Sequence, residues 1–493
     1  MAMRTFPHHR AGLFVVCAAA LLAGGCNRAK TGSIDVIVIG DRPKLADAAT
    51  GPLTAADALL LENAAQGLVR FDPRGQIEAG LAERWNVSDD GLSYIFRLQS
   101  GKWPSGRKID ARDVARLLNR TRRNASLDAL KDTLGAIDEI VAMTDRVIEI
   151  RLSAPRPHLL QLLAQPDFAI IRDGEGTGPF TLLPTSDAEP LHLRRFMPGA
   201  DGDAEVRADV RLVGLPVPSA VAKFVAGQSD LLLGGTFSDL AVAFQASPPR
   251  GSLRFDPVAG LFALVPGRQG GPLADRALRS LVARAIDRDA LVVAVKVDGL
   301  APRYTLLQPG LDGVTNLPVP PWSTITFARR APQLIAEANR LWGRRPRPAL
   351  TISLPAGPGS TLLFHRLAED LGGIGLTLRP AAAGEPVDLR LIDEVAPSTS
   401  PAWFVRRLHC DRVPICDAQV DDLADAARAT QSADQRTQFL LAAAERIDSE
   451  NLIIPLAAPI RWSLVGNDVP GFTENRFARH TFIDLGRKAA SER

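Results

Sequence analysis

Cysteine is scarce in this chain, with 4 residues in 493, and that excludes a disulfide-dense scaffold held together by many bridges. Charge of one sign is also lacking. The formal net charge of +3 includes Arg4 and Arg10, so the chain beyond the N-terminus carries about +1. That balance argues against a nucleic-acid partner, and the pairs Arg122-Arg123, Arg329-Arg330 and Arg344-Arg345 are short, scattered and read as solvated surface. Past the N-terminus no hydrophobic run reaches the roughly 20 residues that span a bilayer. There is no H-E-x-x-H, no P-loop and no dinucleotide fingerprint, which removes the commonest motifs for zinc hydrolysis and nucleotide chemistry. No internal repeat or long low-complexity tract is present. The chain is nevertheless too long for one hydrophobic core, so two or more lobes are expected.

The N-terminus reads as an export signal. Arg4 and Arg10 supply a basic region, and Ala11 to Gly25 is an apolar run too short to cross a membrane but suited to a signal peptide. It ends in Leu21-Leu22-Ala23-Gly24-Gly25-Cys26, which resembles a bacterial lipobox, with Ala23 where that pattern prefers Leu. On this reading residues 1 to 25 are removed and Cys26 is lipidated, its acyl chains anchoring the protein at about 0.8 kcal/mol per buried methylene. An ordinary secretory signal cut by another peptidase is the other reading. Cys17 leaves with the signal, so Cys410 and Cys416 remain. In an oxidising compartment they are expected to form one disulfide closing a short loop. A metal site using His409 with both thiolates is the alternative, but it lacks a fourth ligand.

From Gly67 to Asn119 the sequence is locally informative. Leu81 and Trp85 stand four apart, as on one face of a short helix. Asp89-Asp90-Gly91 reads as a turn. Leu92, Tyr94, Phe96 and Leu98 then alternate with Ser93, Ile95, Arg97 and Gln99, as in a strand with one apolar face. Asp110 is placed to cap a helix, Asp113 favours its positive end, and Val114, Leu117 and Leu118 form a buried stripe. By itself this small α+β unit predicts packing and nothing more.

The same stretch resembles the opening module of the family 5 extracellular solute-binding proteins, the oligopeptide- and nickel-binding receptors of ABC importers. Other segments resemble that family in the same order. Ser33 to Gly40 (SIDVIVIG) reads as the first strand, and Gly-Thr-Gly-Pro-Phe at 176 to 180 precedes another. Ala222 to Asp230 (AKFVAGQSD) is similar to the family's helix followed by GxxD. Pro272 to Asp287 is similar to its amphipathic helix, with Leu278, Leu281, Val282, Ala285 and Ile286 inward. Ala349 to Leu354, Leu362 to Leu371 and 375 to 378 read as strand, helix and strand. Asp434 to Asp448 reads as a helix, and Asn451 to Leu456 (NLIIPL) is similar to the family's "ipliPl" strand.

The resemblance implies an α/β protein with the two-lobed type II periplasmic-binding-protein fold, carrying an extra α+β subdomain and closing by a hinge between lobes. The implied boundaries are 27–59, 169–262 and 456–493 for the first lobe, 60–168 for the attached subdomain and 263–455 for the second lobe. It further implies a receptor rather than an enzyme, a small-molecule or peptide ligand, and ABC permease subunits as partners. A periplasmic monomer held to the envelope only by its N-terminal lipid is expected, with no cofactor or metal. A sensor or envelope lipoprotein of the same fold is a second possibility. Ser105 and Lys108 form an S-x-x-K, the spacing of exported serine acyl-enzymes, but in a Gly/Pro-bounded loop without an S-D-N or K-T-G.

For the ligand, peptide-binding members carry a W-x-x-D-Y-x-x-P-x-x-F-L segment after a second-lobe strand, and its Asp pairs with the peptide α-ammonium. Here the strand is read as Val387 to Ile392 and the downstream anchor as Pro401-Ala402-Trp403-Phe404-Val405. Counting back from Pro401 places Pro397 at the Asp position and Glu394 at the Trp position. Asp393 or Glu394 could take that role from the strand end, although both also read as turn carboxylates. Trp403 is a candidate for the pocket wall or, beside Phe404, for the core. Gly51 and Thr54 fall near where the first lobe of relatives meets ligand. Nickel is disfavoured, because His158, His192, His365, His409 and His480 are too dispersed to compose a His-rich site.

Overall fold

The fold is given by a computed structural model that describes residues 32–123, 134–198, 204–315, 317–467 and 469–486. The signal segment and Cys26 lie outside the described residues. Apolar strands assemble two main sheets. The first has seven strands in the order Leu253–Phe255, Arg461–Val465, Leu231–Thr236, Ile34–Ile39, Ala204–Leu215, Leu191–Pro198 and Thr181–Leu183. Ile34–Ile39 sits at its centre, parallel to both neighbours, and Val36, Ile37 and Val38 are buried, as a strand covered on both faces requires. The second sheet has five strands in the order Thr377–Pro380, Ala349–Ser353, Leu389–Val395, Gly260–Pro266 and Ile454–Ala457. Its strand GLFALVP is buried at every position.

The chain passes between the two sheets twice, after Leu253–Phe255 and again after Ile454–Ala457. The crossings are tied together where the Asp256 amide donates to the Arg461 carbonyl at 3.0 Å. Two extended segments lying side by side, with the sheets on either end, form the hinge such a fold needs.

A third unit is inserted between the first and last parts of the seven-stranded sheet. Its antiparallel sheet runs Ala82–Val87, Ser93–Leu98, Val147–Leu152 and Ile137–Thr144, and helix Ala111–Arg122 packs on it. Asp110 caps that helix by accepting from the Arg112 amide at 2.8 Å, and Val114, Leu117 and Leu118 are buried. Tyr94, Phe96 and Leu98 face the core while Ile95 stays exposed, the alternation read from sequence.

Three local expectations are corrected. Leu81 and Trp85 do not share a helix: Ala82–Val87 is a strand, with Trp85 opposite Phe96. A spacing of four is even, so it fits the strand period of two as well as the helix period of 3.6. The helix expected over 272–287 begins only at Arg276, after a 3₁₀ turn at Pro272–Ala274, with Asp275 as its cap, and it ends at Ala285. Asp287 then caps a second helix, Arg288–Val295. The strand expected over 387–392 is Leu389–Val395, so Asp393 and Glu394 lie within it, with side chains on opposite faces, rather than beyond its end.

Cys410 and Cys416 are joined in a disulfide, Cα to Cα 5.1 Å, in the loop between helices Pro401–Arg406 and Ala418–Ala429. His409 turns to carboxylates, at 2.9 Å from Asp411 and 3.4 Å from Asp421, and the Asp421 carboxylate accepts from the Cys410 amide. Losing the bridge in Cys410→Ser frees a short loop in the unfolded chain and is expected to cost about 2 kcal/mol. Urea denaturation with and without reductant checks this, since reductant should bring the parent to the variant's stability and leave the variant unchanged.

Candidate functional site

Between the two main sheets and the inserted unit lies a cavity of about 550 Å³. Strand ends converge on it, as is usual for binding sites in α/β folds. The seven-stranded sheet contributes Gly234, Gly235 and Thr236 from one strand and Arg461 and Trp462 from another. The five-stranded sheet contributes Asp393 to Ala396, followed by Pro397, and the inserted unit contributes Gln165, Pro166 and Asp167. Helix Ala55–Ala64 and the segment Phe477 to His480 complete the wall.

Four of the five expected contacts line this cavity: Thr54, Asp393, Glu394 and Trp403. Gly51 lies nearby in sequence but is not among the lining residues. Thr54 caps helix Ala55–Ala64, accepting from the Asp57 amide at 3.1 Å and donating its hydroxyl to Asp57 Oδ2 at 2.7 Å. Trp403 is almost fully buried and meets Phe404 edge to face at 4.9 Å, so it belongs to the core as well as the wall.

Both candidate carboxylates already hold an arginine. Arg461 donates from Nη1 to Asp393 Oδ1 at 2.8 Å and from Nη2 to the Asp393 carbonyl at 3.0 Å. Burial pushes the Asp393 carboxyl up, and Arg461 opposes that shift. Glu394 pairs with Arg407, whose guanidinium lies 5.9 Å from the Trp403 ring centroid. Burial lowers the Arg407 guanidinium, with Glu394 pulling the other way.

Sequence reasoning missed the rest of the charged lining. Glu62 is raised by burial and steadied by Arg479 at 3.2 Å. Asp256 pairs with His480 at 3.1 Å, and His480 stacks on Phe472. Trp462 is 1% exposed, and its indole N–H donates to the Thr236 carbonyl at 2.8 Å. Its ring lies so close to Gly235 that an added Cβ would stand 2.2 Å away. Arg461 and Trp462 follow directly on the recognised NLIIPL strand and its crossing. The residues after the second crossing were therefore the available signal.

A row of polar contacts joins the inserted unit to the five-stranded lobe across one side of the cavity. Gln165 donates to the Pro397 carbonyl at 2.8 Å, and the Thr399 amide donates to Gln161 at 3.0 Å. Asp312 receives Thr399 and lies 2.8 Å from His158 Nε2. Burial tends to raise the Asp312 carboxyl, but Thr399 and His158 hold it below its ordinary value. Ser105 and Lys108 are exposed in a turn of the inserted unit, outside the cavity lining. Among the described residues no group of three or more His, Cys, Asp or Glu is arranged to hold a metal ion, and no helix is long and apolar enough to cross a membrane.

The family model described as "Bacterial extracellular solute-binding proteins, family 5 Middle" matches residues 76–386. The chain is 26% identical to the probable di/tripeptide-binding protein 5 of Pseudomonas aeruginosa, covering 85% of this chain and 89% of that one. Its fold is similar to that of the Escherichia coli murein tripeptide binding protein MppA, with a TM-score of 0.77 at 18% identity over 92% of this chain and 98% of that one. It is also similar to NikA from Brucella suis in complex with Fe(III)-EDTA, with a TM-score of 0.73 at 18% identity over 92% of this chain and 100% of that one. Those two proteins share one architecture although their names point to different molecules, a murein tripeptide and Fe(III)-EDTA.

Proposed function

Because this chain belongs to the bacterial extracellular solute-binding proteins of family 5, we propose that it is the substrate-binding lipoprotein of an ABC importer, capturing a short peptide between its lobes for delivery to an inner-membrane permease. The observation that carries this reading is the charged cavity at the hinge, together with the di/tripeptide-binding relative that the chain matches over most of both lengths. A volume of about 550 Å³ suits a peptide of a few residues. Thr54, Asp393, Glu394 and Trp403 contribute to the site directly or through the arginines they hold, with Gly51 at its margin. A peptide amine approaching Asp393 or Glu394 would have to share that carboxylate with Arg461 or Arg407. Export and acylation at Cys26 would hold the receptor at the envelope membrane as a monomer, without cofactor or metal.

Native mass spectrometry of the gently purified mature protein should reveal a co-purified peptide. A ligand at a hundred times its Kd adds about 2.7 kcal/mol of stability, so a di- to pentapeptide library should raise the melting temperature by several degrees for its preferred members. No shift with any peptide and no peptide in the native spectrum would refute this reading.

A further inference from the structure

Five carboxylates line the cavity: Glu62, Asp167, Asp256, Asp393 and Glu394. Four are already matched, Glu62 with Arg479, Asp256 with His480, Asp393 with Arg461 and Glu394 with Arg407. Asp167 is the remaining one. Among the described residues it has neither an ion pair nor a side-chain hydrogen bond, although it is only half-exposed and faces a hollow closed on several sides. A carboxylate without a protein partner at a cavity wall is an acceptor open to a donor that enters the cavity.

The position of Asp167 is held firmly. It lies in the 3₁₀ turn Pro166–Phe168, whose flanking Pro166 and Phe168 are buried. The residue before the turn, Gln165, donates to the Pro397 carbonyl at 2.8 Å and so fastens the turn to the opposite lobe. Pro397 is the position at which counting back from Pro401 leaves no carboxylate on the five-stranded lobe. The inserted unit therefore presents a free acid across from the place where the facing lobe has a proline.

We propose that Asp167 receives the ligand's ammonium group, making the inserted unit the part of this receptor that selects for a cation. This deepens the peptide reading and rests on it for the ligand class, while the pairing itself needs only a primary ammonium. The ammonium donates to the Asp167 carboxylate, and Asp393 and Glu394 keep their arginines. Two sources supply that chemistry in a peptide, the α-ammonium and a lysine side chain.

Titration calorimetry tests the proposal with two probe sets on the purified mature protein. One is a set of short peptides in free, N-acetylated and lysine-containing forms, and the other is a series of simple alkyl amines and diamines. Asp167→Asn should weaken ammonium-bearing probes by roughly 10- to 100-fold, the equilibrium cost of one charged hydrogen bond, and leave the unliganded melting temperature unchanged. N-acetylation that abolishes the Asp167→Asn effect assigns the α-ammonium, whereas persistence of the effect in lysine peptides assigns the side chain. If amines bind through Asp167 and peptides do not bind, the peptide reading fails and the ammonium site stands. Undiminished affinity in Asp167→Asn, with the loss appearing instead in Asp393→Asn or Glu394→Gln, overturns the proposal. So does a result in which neither probe set binds.

Discussion

Arg461→Ala is expected to destabilise the protein by roughly 3 kcal/mol at neutral pH, the range found when one partner leaves a largely buried ion pair, and to abolish ligand capture. Arg461 opens a strand of the seven-stranded sheet, and Asp393 lies in a strand of the five-stranded sheet. Their pair is therefore a direct tie between lobes at the cavity floor. Both side chains are less than a fifth exposed, at 17% and 15%. With the guanidinium gone, Asp393 keeps its burial and loses the group that opposes it.

The sign of the pH dependence follows from that raised carboxyl. Below the ordinary carboxylate range of about 3.9, Asp393 is protonated in folded and unfolded chains alike, and the variant's charge penalty is small. As pH rises toward the elevated folded value, the unfolded chain ionises first and stability is lost. The deficit of Arg461→Ala should therefore be least near pH 4 and grow toward pH 7. Asp393→Asn/Arg461→Gln, with both charges removed and a hydrogen bond still possible, should recover more than half of it. Urea denaturation of the single and double variants between pH 4 and pH 8 checks this cycle. Additive effects with no coupling between the two positions would show that the pair does not tie the lobes.

Much of the local structure was legible because it is written in short-range periodicity. Tyr94, Phe96 and Leu98 alternate, Asp110 caps, and Leu278, Leu281 and Val282 repeat at helical spacing, each pattern contained within one element. Family membership was legible for a related reason, since several such elements recur in a characteristic order. The charged lining of the cavity was not. Glu62, Asp167, Asp256, Arg461 and Arg479 come from five separate segments, and only the folding of both crossings brings them to one hollow. No spacing along the chain encodes that neighbourhood. Counting within the second-lobe motif leads to Pro397, whereas among the described residues the lining carboxylate without an ion pair lies on the inserted unit. Asp393 and Glu394 line the cavity, but their arginines are not legible from the sequence: Arg461 is distant in sequence, and Arg407 lies just past the helix in which Trp403 sits.

Asp448→Asn is expected to stabilise the protein, by about 2–3 kcal/mol at pH 8 and by almost nothing at pH 4. Asp448 sits in the last turn of helix Ala433–Ser449, beside a second hollow of about 680 Å³ in the five-stranded lobe. Its carboxyl accepts from the Leu306 amide at 2.9 Å. Burial pushes it up to about 8, against the lowering effect of that hydrogen bond. Well below the ordinary Asp value of about 3.9 both states hold the proton, and at pH 4 the unfolded chain has only begun to ionise. From there to about pH 8 the unfolded chain ionises and the folded one does not, so the native carboxyl costs stability as pH rises, at up to about 1.4 kcal/mol per pH unit. Asp448 keeps part of its surface open to the hollow, and hydration there cuts the full linkage to roughly half. Asparagine retains the oxygen that accepts from Leu306 and does not ionise. The difference in unfolding free energy between variant and parent should thus grow monotonically from pH 4 to pH 8 and then level off. A difference independent of pH, or a variant less stable than the parent at pH 8, would show that Asp448 is already ionised and hydrated in the native state.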